Sequence, residues 1–389
     1  MTIFDFDKPV ERRNTDSYKW DTPESQNVQP MWVADMDFRT APCVIDALRK
    51  VVDRGIYGYT YVPDEFYKAA DRWFGSRHGN PVDRDMVIYT SGVVPAVSAV
   101  IKALTNPGDE VALLTPAYDC FFSSIRNNRC KVAECRMKVD ANGKYIIDFE
   151  ALESILSSEC VKAFVLCNPH NPGGRVWSAE ELSRIGEICI RNDVWVISDD
   201  IHCEFVYPPY RYTPVVTLDK DIAARTVQCL APSKAFNTAG LQIALIVAPD
   251  ENVRARIDRA INDNEVCDVN PFGVAGLIAA YNEGEPWLDA LVEYLYGNAV
   301  YLKERFASEL PEAKVMPLES TYLAWIDIRA FGMSSDEIAS YLHDCAGVRI
   351  NSGSKYGGGG EGYIRINFAC PRKSLEAALD RIIKALGSL

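Results

Sequence analysis

The chain has 389 residues, 48% of them apolar and 24% charged, and its 41 Lys and Arg against 54 Asp and Glu give a formal net charge of −13. This composition is that of a globular protein and excludes a wholly disordered chain. The excess of acid argues against a surface that binds nucleic acid or an anionic membrane. We therefore expect no nucleic-acid partner and no membrane association.

Two further features predict a cytoplasmic protein. The longest apolar runs, such as 241–248, fall far short of the ~20 residues that span a bilayer. The first residues carry acid where a signal peptide needs base.

The 12 cysteines are spread along the chain without a Cys-x-x-Cys pair, which predicts reduced, mostly buried thiols. The 4 histidines show no helical ligand spacing, so we expect no metal site.

The predicted elements begin with an arm and then become regular. The first forty residues are polar, aromatic and rich in turns, which predicts an arm that wraps another part of the molecule. An aromatic loop follows at 57–61. Apolar strands then alternate with helices, which indicates an α/β fold whose parallel sheet is covered on both faces. The predicted helices are 42–54, 64–77, 91–104 and 178–191 (Ser178 and Glu181 forming a capping box), and the predicted strands are 86–89, 110–114, 162–167, 194–198, 226–230 and 242–247.

The pattern changes near residue 284. Helices are predicted at 288–310, 335–345 and 374–386, and strands at 322–328 and 363–368, which is an α+β arrangement. We therefore predict three parts: an N-terminal arm (1–45) that packs with the small domain, a large domain (46–284) and a small C-terminal domain (285–389).

Ligands of parallel sheets bind beyond the carboxyl ends of the strands, so the residues after each strand are the candidates for a site. The turn at 90–95 enters a helix and leaves backbone N–H groups free, as in a phosphate site, although an ordinary capped helix has the same pattern. Tyr118 follows the next strand, where its ring is placed either to stack on a planar cofactor or to pack locally.

Acid and amide groups follow the next two strands. The loop 168–174 contains two Asn-Pro steps and two glycines, a stiff turn that would fix an Asn amide as a donor. Asp199 and Asp200 follow a wholly apolar strand. One of them, Asp199, is expected at the sheet edge, where burial requires a cationic or N–H partner. Asp200 is interpreted as a helix cap or a solvated acid.

Lys234 and Arg365 occupy unusual places for charged residues. Lys234 lies between two predicted buried strands, where desolvation lowers the pKa of an ammonium group and makes the amine a nucleophile and base. Arg365 lies inside an apolar strand and suits a bidentate grip on a carboxylate, with a structural ion pair as the alternative. Together with the preceding groups, they fit an anionic aromatic aldehyde cofactor and an amino-acid substrate.

These residues, in this order, resemble the pyridoxal-phosphate (PLP) enzymes of fold type I, the aspartate aminotransferase superfamily. More narrowly, the chain is similar to the cystathionine β-lyase-like C–S lyases of the MalY/PatB group. The resemblance covers essentially the whole chain and implies a large domain with a mostly parallel seven-stranded sheet and a smaller α+β C-terminal domain. The subgroup rests on the arm segment 31–38 and on His202, where many aminotransferases carry tyrosine. The other matching segments are 57–60, 91–95, 168–174, 198–202, 231–234 and 365–369.

The resemblance also implies a role for each candidate residue. Lys234 would bind the cofactor aldehyde as a Schiff base, Asp199 would hold the protonated pyridine nitrogen, and Tyr118 would stack on the ring. The remaining cofactor contacts would be Asn171 and His202 at the ring hydroxyl, Gly92, Val93 and Ser233 at the phosphate, and Tyr59 from a second subunit; Arg365 and the backbone around Ala34 would bind the substrate. Two positions depart from the superfamily pattern, because Ala231 and Gln242 stand where many members place a Ser and an Arg on the phosphate.

The implied activity is elimination of a thiol from an L-cysteine thioether or cystine, which yields pyruvate and ammonia. Two alternatives stay open. A class I/II aminotransferase acting on an L-amino acid shares the carbanionic intermediate, and a PLP-binding regulatory protein would use the same fold to bind partners. The role of Tyr59 across an interface implies a homodimer.

Overall fold

The computed structural model describes residues 4–263, 265–266 and 268–389. Residues 1–3, part of the acidic amino terminus, and Cys267 lie outside the described residues. The other eleven cysteines are free thiols and seven of them are buried, as predicted. Among the described residues, no helix combines the length and apolar character needed to cross a membrane.

The elements alternate through most of the chain. The strands are β1 (Gln29–Pro30), β2 (Val87–Thr90), β3 (Glu110–Thr115), β4 (Lys131–Arg136), β5 (Lys138–Val139), β6 (Tyr145–Ile146), β7 (Val161–Cys167), β8 (Trp195–Asp199), β9 (Thr226–Leu230), β10 (Ala244–Val247), β11 (Lys314–Val315), β12 (Leu323–Asp327), β13 (Val348–Arg349), β14 (Asn351–Ser352) and β15 (Tyr363–Asn367). The helices are α1 (Pro42–Arg54), α2 (Asp64–His78), α3 (Val93–Leu104), α4 (Asp119–Asn127), α5 (Phe149–Leu156), α6 (Ala179–Arg191), α7 (Lys220–Ala224), α8 (Glu251–Asn262), α9 (Pro271–Glu283), α10 (Glu285–Glu309), α11 (Ser335–Ala346) and α12 (Arg372–Leu386).

A seven-stranded sheet in the order β2-β10-β9-β8-β7-β3-β4 forms the centre of the molecule. Its strands are parallel except β10, which runs antiparallel to both of its neighbours. Strands β7, β8 and β9 are apolar and almost wholly buried, since helices cover both faces of the sheet. The predicted α/β class with a mostly parallel sheet is confirmed. One consequence is that the carboxyl ends of the parallel strands open on the same edge of the sheet.

Helix α6 shows how closely local sequence sets an element. The Ser178 side chain accepts a hydrogen bond from the Glu181 amide, and the Glu181 carboxylate accepts one from the Ser178 amide at 2.8 Å. This is the predicted capping box, which satisfies two N–H groups at the start of the helix.

The amino-terminal arm joins a second sheet region formed late in the chain. Strands β11, β12, β15 and β14 make a four-stranded antiparallel sheet that α10 and α11 contact, and α12 packs against these two helices. Strand β1 pairs in parallel with β13, Gln29 opposite Val348. The Asn367 amide at the end of β15 donates to the Met31 carbonyl. The division of the chain at residues 45 and 284 stays a prediction.

Candidate active site

Nine of the eleven predicted site residues line one pocket at the carboxyl edge of the central sheet. Each strand contributes the residues at or just beyond its end, as the α/β architecture requires. The lining includes Ala34, Gly92, Val93, Tyr118, Asn171, Asp199, His202, Ser233 and Lys234. Arg365 joins this group through Asn171, whereas Tyr59 does not line the pocket.

Lys234 lies on the turn after β9, with its amine in the pocket. Lys234 Nζ donates to the Ala34 carbonyl at 2.5 Å. Burial lowers the pKa of Lys234, and the nearby Arg365 acts in the same direction, whereas Asp35 and Asp199 oppose the shift. The amine is therefore closer to its neutral, nucleophilic form than an exposed lysine is.

Asp199 ends β8 and is 4% exposed. Its Oδ1 accepts from the Ile201 amide at 3.1 Å, and no cationic side chain of the described residues forms an ion pair with it. Burial raises the pKa of Asp199 to about 7, with a smaller contribution from Asp200. A buried acid without a cation is stabilised by any positive charge brought into the pocket.

Asp200 corrects a prediction. Its interpretation as a helix cap or a solvated acid is wrong, because the residue is 0% exposed. Its carboxylate accepts from Ser198 Oγ at 2.7 Å and from Gln228 Nε2 at 2.9 Å. Burial raises the pKa of Asp200 to about 6. The partner on the neighbouring strand β9 makes burial tolerable, and local sequence does not show that pairing.

Arg365 in β15 is 3% exposed and faces Asn171. Its Nη1 donates to Asn171 Oδ1 at 3.1 Å, and its Nη2 donates to the Trp32 carbonyl at 2.8 Å. With Oδ1 engaged, the Asn171 NH₂ group is left as a donor toward the pocket. The described residues place no carboxylate within ion-pair distance of Arg365, so the alternative of a structural ion pair lacks support. Its Nε is buried without a partner in this part of the chain.

His202 is neutral and lines the same pocket. Burial lowers its pKa to about 3, helped by the positive charges of Lys234 and Arg365. Its Nδ1 is buried and has no hydrogen-bond partner among the described residues. Its ring centroid lies 6.1 Å from that of Tyr322. An unsatisfied ring nitrogen in a pocket points to a polar ligand atom.

The start of α3 has the features of the predicted phosphate site. Gly92 is the N-cap, no side chain caps the helix, and its first turn holds no acid. The free N–H groups and the helix dipole therefore favour an anion. Lys234 is the one cationic side chain among the described residues that line the pocket. Gln242 is exposed and neither it nor Ala231 lines the pocket, so neither supplies the superfamily's phosphate contact.

The two candidate tyrosines lie in different settings. Tyr118 is half-buried between β3 and α4, and burial raises its pKa well above the ordinary value, which keeps the hydroxyl protonated. Tyr59 is 97% exposed in a loop with Ile56, Tyr57 and Tyr61, each of which is also exposed.

Tyr322 was missed by the sequence analysis. Its hydroxyl donates to the Ala34 carbonyl at 3.0 Å, the same oxygen that Lys234 contacts. Its position immediately before β12 gives no signal of a site, because site residues are expected beyond the carboxyl ends of parallel strands.

Comparison with known proteins identifies the family. The model for aminotransferases of class I and II matches residues 31–382. The chain belongs to the class I and II aminotransferase family. As a member of this family, it is 41% identical to "Cystathionine beta-lyase PatB" of Bacillus subtilis, over 98% of this chain and 99% of the relative. It is 33% identical to "Protein MalY" of Escherichia coli, over 99% of each.

A solved structure in the same family extends this likeness to three dimensions. The PLP-bound C–S lyase from Staphylococcus hominis superposes with a TM-score of 0.91 at 33% identity, covering 98% of this chain and 99% of that one. The predicted fold type I architecture and the resemblance to the MalY/PatB group are confirmed.

Proposed function

We propose that this chain is a PLP-dependent carbon–sulfur β-lyase. The observation that carries the proposal is the convergence of Lys234, Asp199 and Arg365 on one pocket, in a chain 41% identical over nearly its full length to a cystathionine β-lyase. The overall reaction consumes an L-cysteine thioether and water, and it releases the thiol, pyruvate and ammonia; cystine would release cysteine persulfide in place of the thiol.

The pocket fits PLP on its own chemistry. Asp199 is buried without a cation and would hold a protonated pyridine nitrogen. The open N-terminus of α3, with Ser233, would hold the phosphate. The Asn171 amide and the unpaired Nδ1 of His202 would face the ring hydroxyl, and Tyr118 would stack on the ring. When bound, PLP withdraws electrons from the α-carbon of an amino acid attached to it.

The chain's own residues then bind the substrate and move its proton. Arg365 would exchange the Trp32 carbonyl for the substrate carboxylate, which orients the amino acid. The Lys234 amine, with its lowered pKa, would remove the proton from the α-carbon. The negative charge of Asp199 would retain a proton on the ring nitrogen and so stabilise the developing charge. Loss of a thiolate from the β-carbon would complete the elimination.

An aminotransferase is the second candidate, because it needs the same proton removal and the same residues. The relatives named cystathionine β-lyase and C–S lyase favour the lyase. A PLP-binding regulatory protein is a third candidate, to which the pocket adds no specific support.

The first test measures products. With cystathionine and an S-alkylcysteine, we expect thiol and pyruvate in roughly 1:1 ratio without an added keto acid, as the reaction's stoichiometry requires. Lactate dehydrogenase would detect the pyruvate and a thiol reagent the thiol. Amino transfer from alanine or glutamate to a keto acid, with no thiol formed, would contradict the proposal. Protein heated before the assay serves as the control.

The protein is further proposed to be a homodimer in which Tyr59 reaches the phosphate of the partner subunit. Support comes from the exposed apolar loop at Ile56, Tyr57, Tyr59 and Tyr61, since patches of this kind mark association sites. Sedimentation should give a dimer, and Tyr59→Ala should weaken cofactor retention roughly ten-fold, about 1.4 kcal/mol. Tyr18→Ala, which removes another exposed tyrosine, is the matched control. A fully active monomer would refute this arrangement.

A cytoplasmic location is also proposed. The eleven free thiols among the described residues support it, because disulfides persist in oxidising compartments. Thiol titration, after denaturation of protein purified from its natural source, should find 12 reduced cysteines. Recovery of disulfide-linked peptides would oppose it.

A further inference from the structure

The Ala34 carbonyl has two donors that come from distant parts of the chain. Lys234 Nζ donates to it at 2.5 Å and Tyr322 Oη at 3.0 Å. These are its side-chain donors among the described residues. A carbonyl oxygen has two lone pairs, so both bonds exist together.

The peptide groups around Ala34 are held, so this carbonyl cannot turn to find another partner. Asn367 Nδ2 donates to the carbonyls on either side, those of Val33 and Asp35. The Met36 amide donates to Asn237 Oδ1 at 3.0 Å. The Ala34 oxygen therefore depends on Lys234 and Tyr322.

Tyr322 is itself held rigidly. It is 0% exposed, its ring packs edge-on against Phe205 at 4.9 Å, and it lies beside His202. Its hydroxyl has no other partner in the described part of the chain than the Ala34 oxygen. The hydroxyl is thus aimed at one atom, at the wall of the pocket that holds Lys234.

We propose that Tyr322 is a positioning residue, which keeps the Ala34 carbonyl hydrogen-bonded and in place when Lys234 is bound covalently to the cofactor. The Ala34 oxygen can then accept a hydrogen bond from Lys234 again once the substrate frees the lysine. The inference rests on the proposed function, in which Lys234 is covalently engaged. An ammonium group has three N–H donors, and covalent engagement of the nitrogen removes most of them. The Tyr322 hydroxyl then becomes the remaining side-chain donor to the Ala34 oxygen.

The consequence is that loss of the Tyr322 hydroxyl affects the cofactor-free and the cofactor-bound protein unequally. In cofactor-free Tyr322→Phe, Lys234 still satisfies the oxygen. In the loaded variant, the oxygen would have no side-chain donor among the described residues, which is costly for a half-buried polar group. We expect the cofactor to dissociate from Tyr322→Phe roughly ten-fold more readily than from the wild type, about 1.4 kcal/mol.

The experiment compares Tyr322→Phe with Tyr207→Phe. Tyr207 is also buried, and its hydroxyl also donates to a backbone carbonyl, that of Thr321 at 2.6 Å, but this carbonyl lies outside the arm. Cofactor affinity is measured by equilibrium dialysis, and the unfolding of cofactor-free protein by urea. We expect Tyr322→Phe to lose cofactor affinity with little change in the stability of the cofactor-free protein. Tyr207→Phe should lose stability with little change in cofactor affinity. Equal affinity of Tyr322→Phe and the wild type, or failure of cofactor-free Tyr322→Phe to fold, would overturn the inference.

A double-mutant cycle on cofactor-free protein gives a second measurement that does not involve the cofactor. Lys234→Met and Tyr322→Phe each leave the Ala34 oxygen one donor, while the double variant leaves none. We expect the folding equilibrium constant of the double variant to be about ten-fold lower than the value obtained by multiplying the effects of the two single variants. Additive effects would reject the role of Tyr322. Wild-type protein that binds no cofactor would instead reject the proposed function, while leaving this coupling measurable.

Discussion

Replacing Lys234 with alanine is expected to reduce turnover by at least about a thousand-fold, because the proposed mechanism uses this one amine both as cofactor anchor and as base. The structure places this amine in the pocket with a lowered pKa and within reach of the Ala34 carbonyl. The variant should also lose the visible absorbance of the wild type. Thiol release and the absorption spectrum measure the two effects.

An exposed lysine provides the control for this variant. Lys220 starts α7 on the surface, and Lys220→Ala should retain activity and spectrum. Borohydride reduction of the wild type followed by digestion should tag the peptide that contains Lys234. A tag on a different lysine, or an active Lys234→Ala protein, would show that the amine has been misassigned.

Replacing Asp199 with asparagine is expected to lower kcat by about 10²–10³, because the variant keeps the shape of the side chain and removes the charge. Asp200→Asn is the matched control. Asp200 is an adjacent buried acid, but it bonds to Ser198 and Gln228 and does not line the pocket. Its variant should stay within about ten-fold of the wild type, a loss of no more than about 1.4 kcal/mol. Equal losses in the two variants would mean that the charge of Asp199 has no special role.

The Asp199→Asn variant should also change how the stability of the cofactor-free protein depends on pH. Burial raises the pKa of Asp199 from its ordinary value of 3.8 to about 7, so between these values the folded state holds a proton that the unfolded state has lost. Stability therefore falls as pH rises through this window. Asp199→Asn should unfold at higher urea concentration than the wild type at pH 8, and the two should be alike near pH 4. A less stable variant at pH 8 would contradict this sign.

The fold was largely predictable where residue patterns are local. Strands β7, β8 and β9 are mostly apolar segments, and α6 has its capping box in the sequence. Two kinds of element were not predicted. Edge strand β4 has a single buried residue, Cys135, and α9 is apolar around most of its surface, so neither shows the period expected of its type of element. The antiparallel direction of β10 depends on pairing with distant strands.

A position in the pocket was predictable for residues at or shortly after the end of a strand, such as Asp199 and Lys234. The position of Asp200 was not, since its partner Gln228 lies on another strand. Tyr322 was missed for a related reason, because its role depends on contact with an arm almost 290 residues earlier in the chain. Gln242 differs from the superfamily arginine, and the structure places it on the surface, away from the pocket.

The pairing of β1 with β13 also has a consequence for synthesis in the cell. The arm is translated before the strand with which it pairs, which is made more than 300 residues later. Until then, buried arm residues such as Met31, Met36 and Phe38 have no packing partner from that region. The nascent chain must therefore keep these apolar side chains of the arm from aggregating until β13 has been translated.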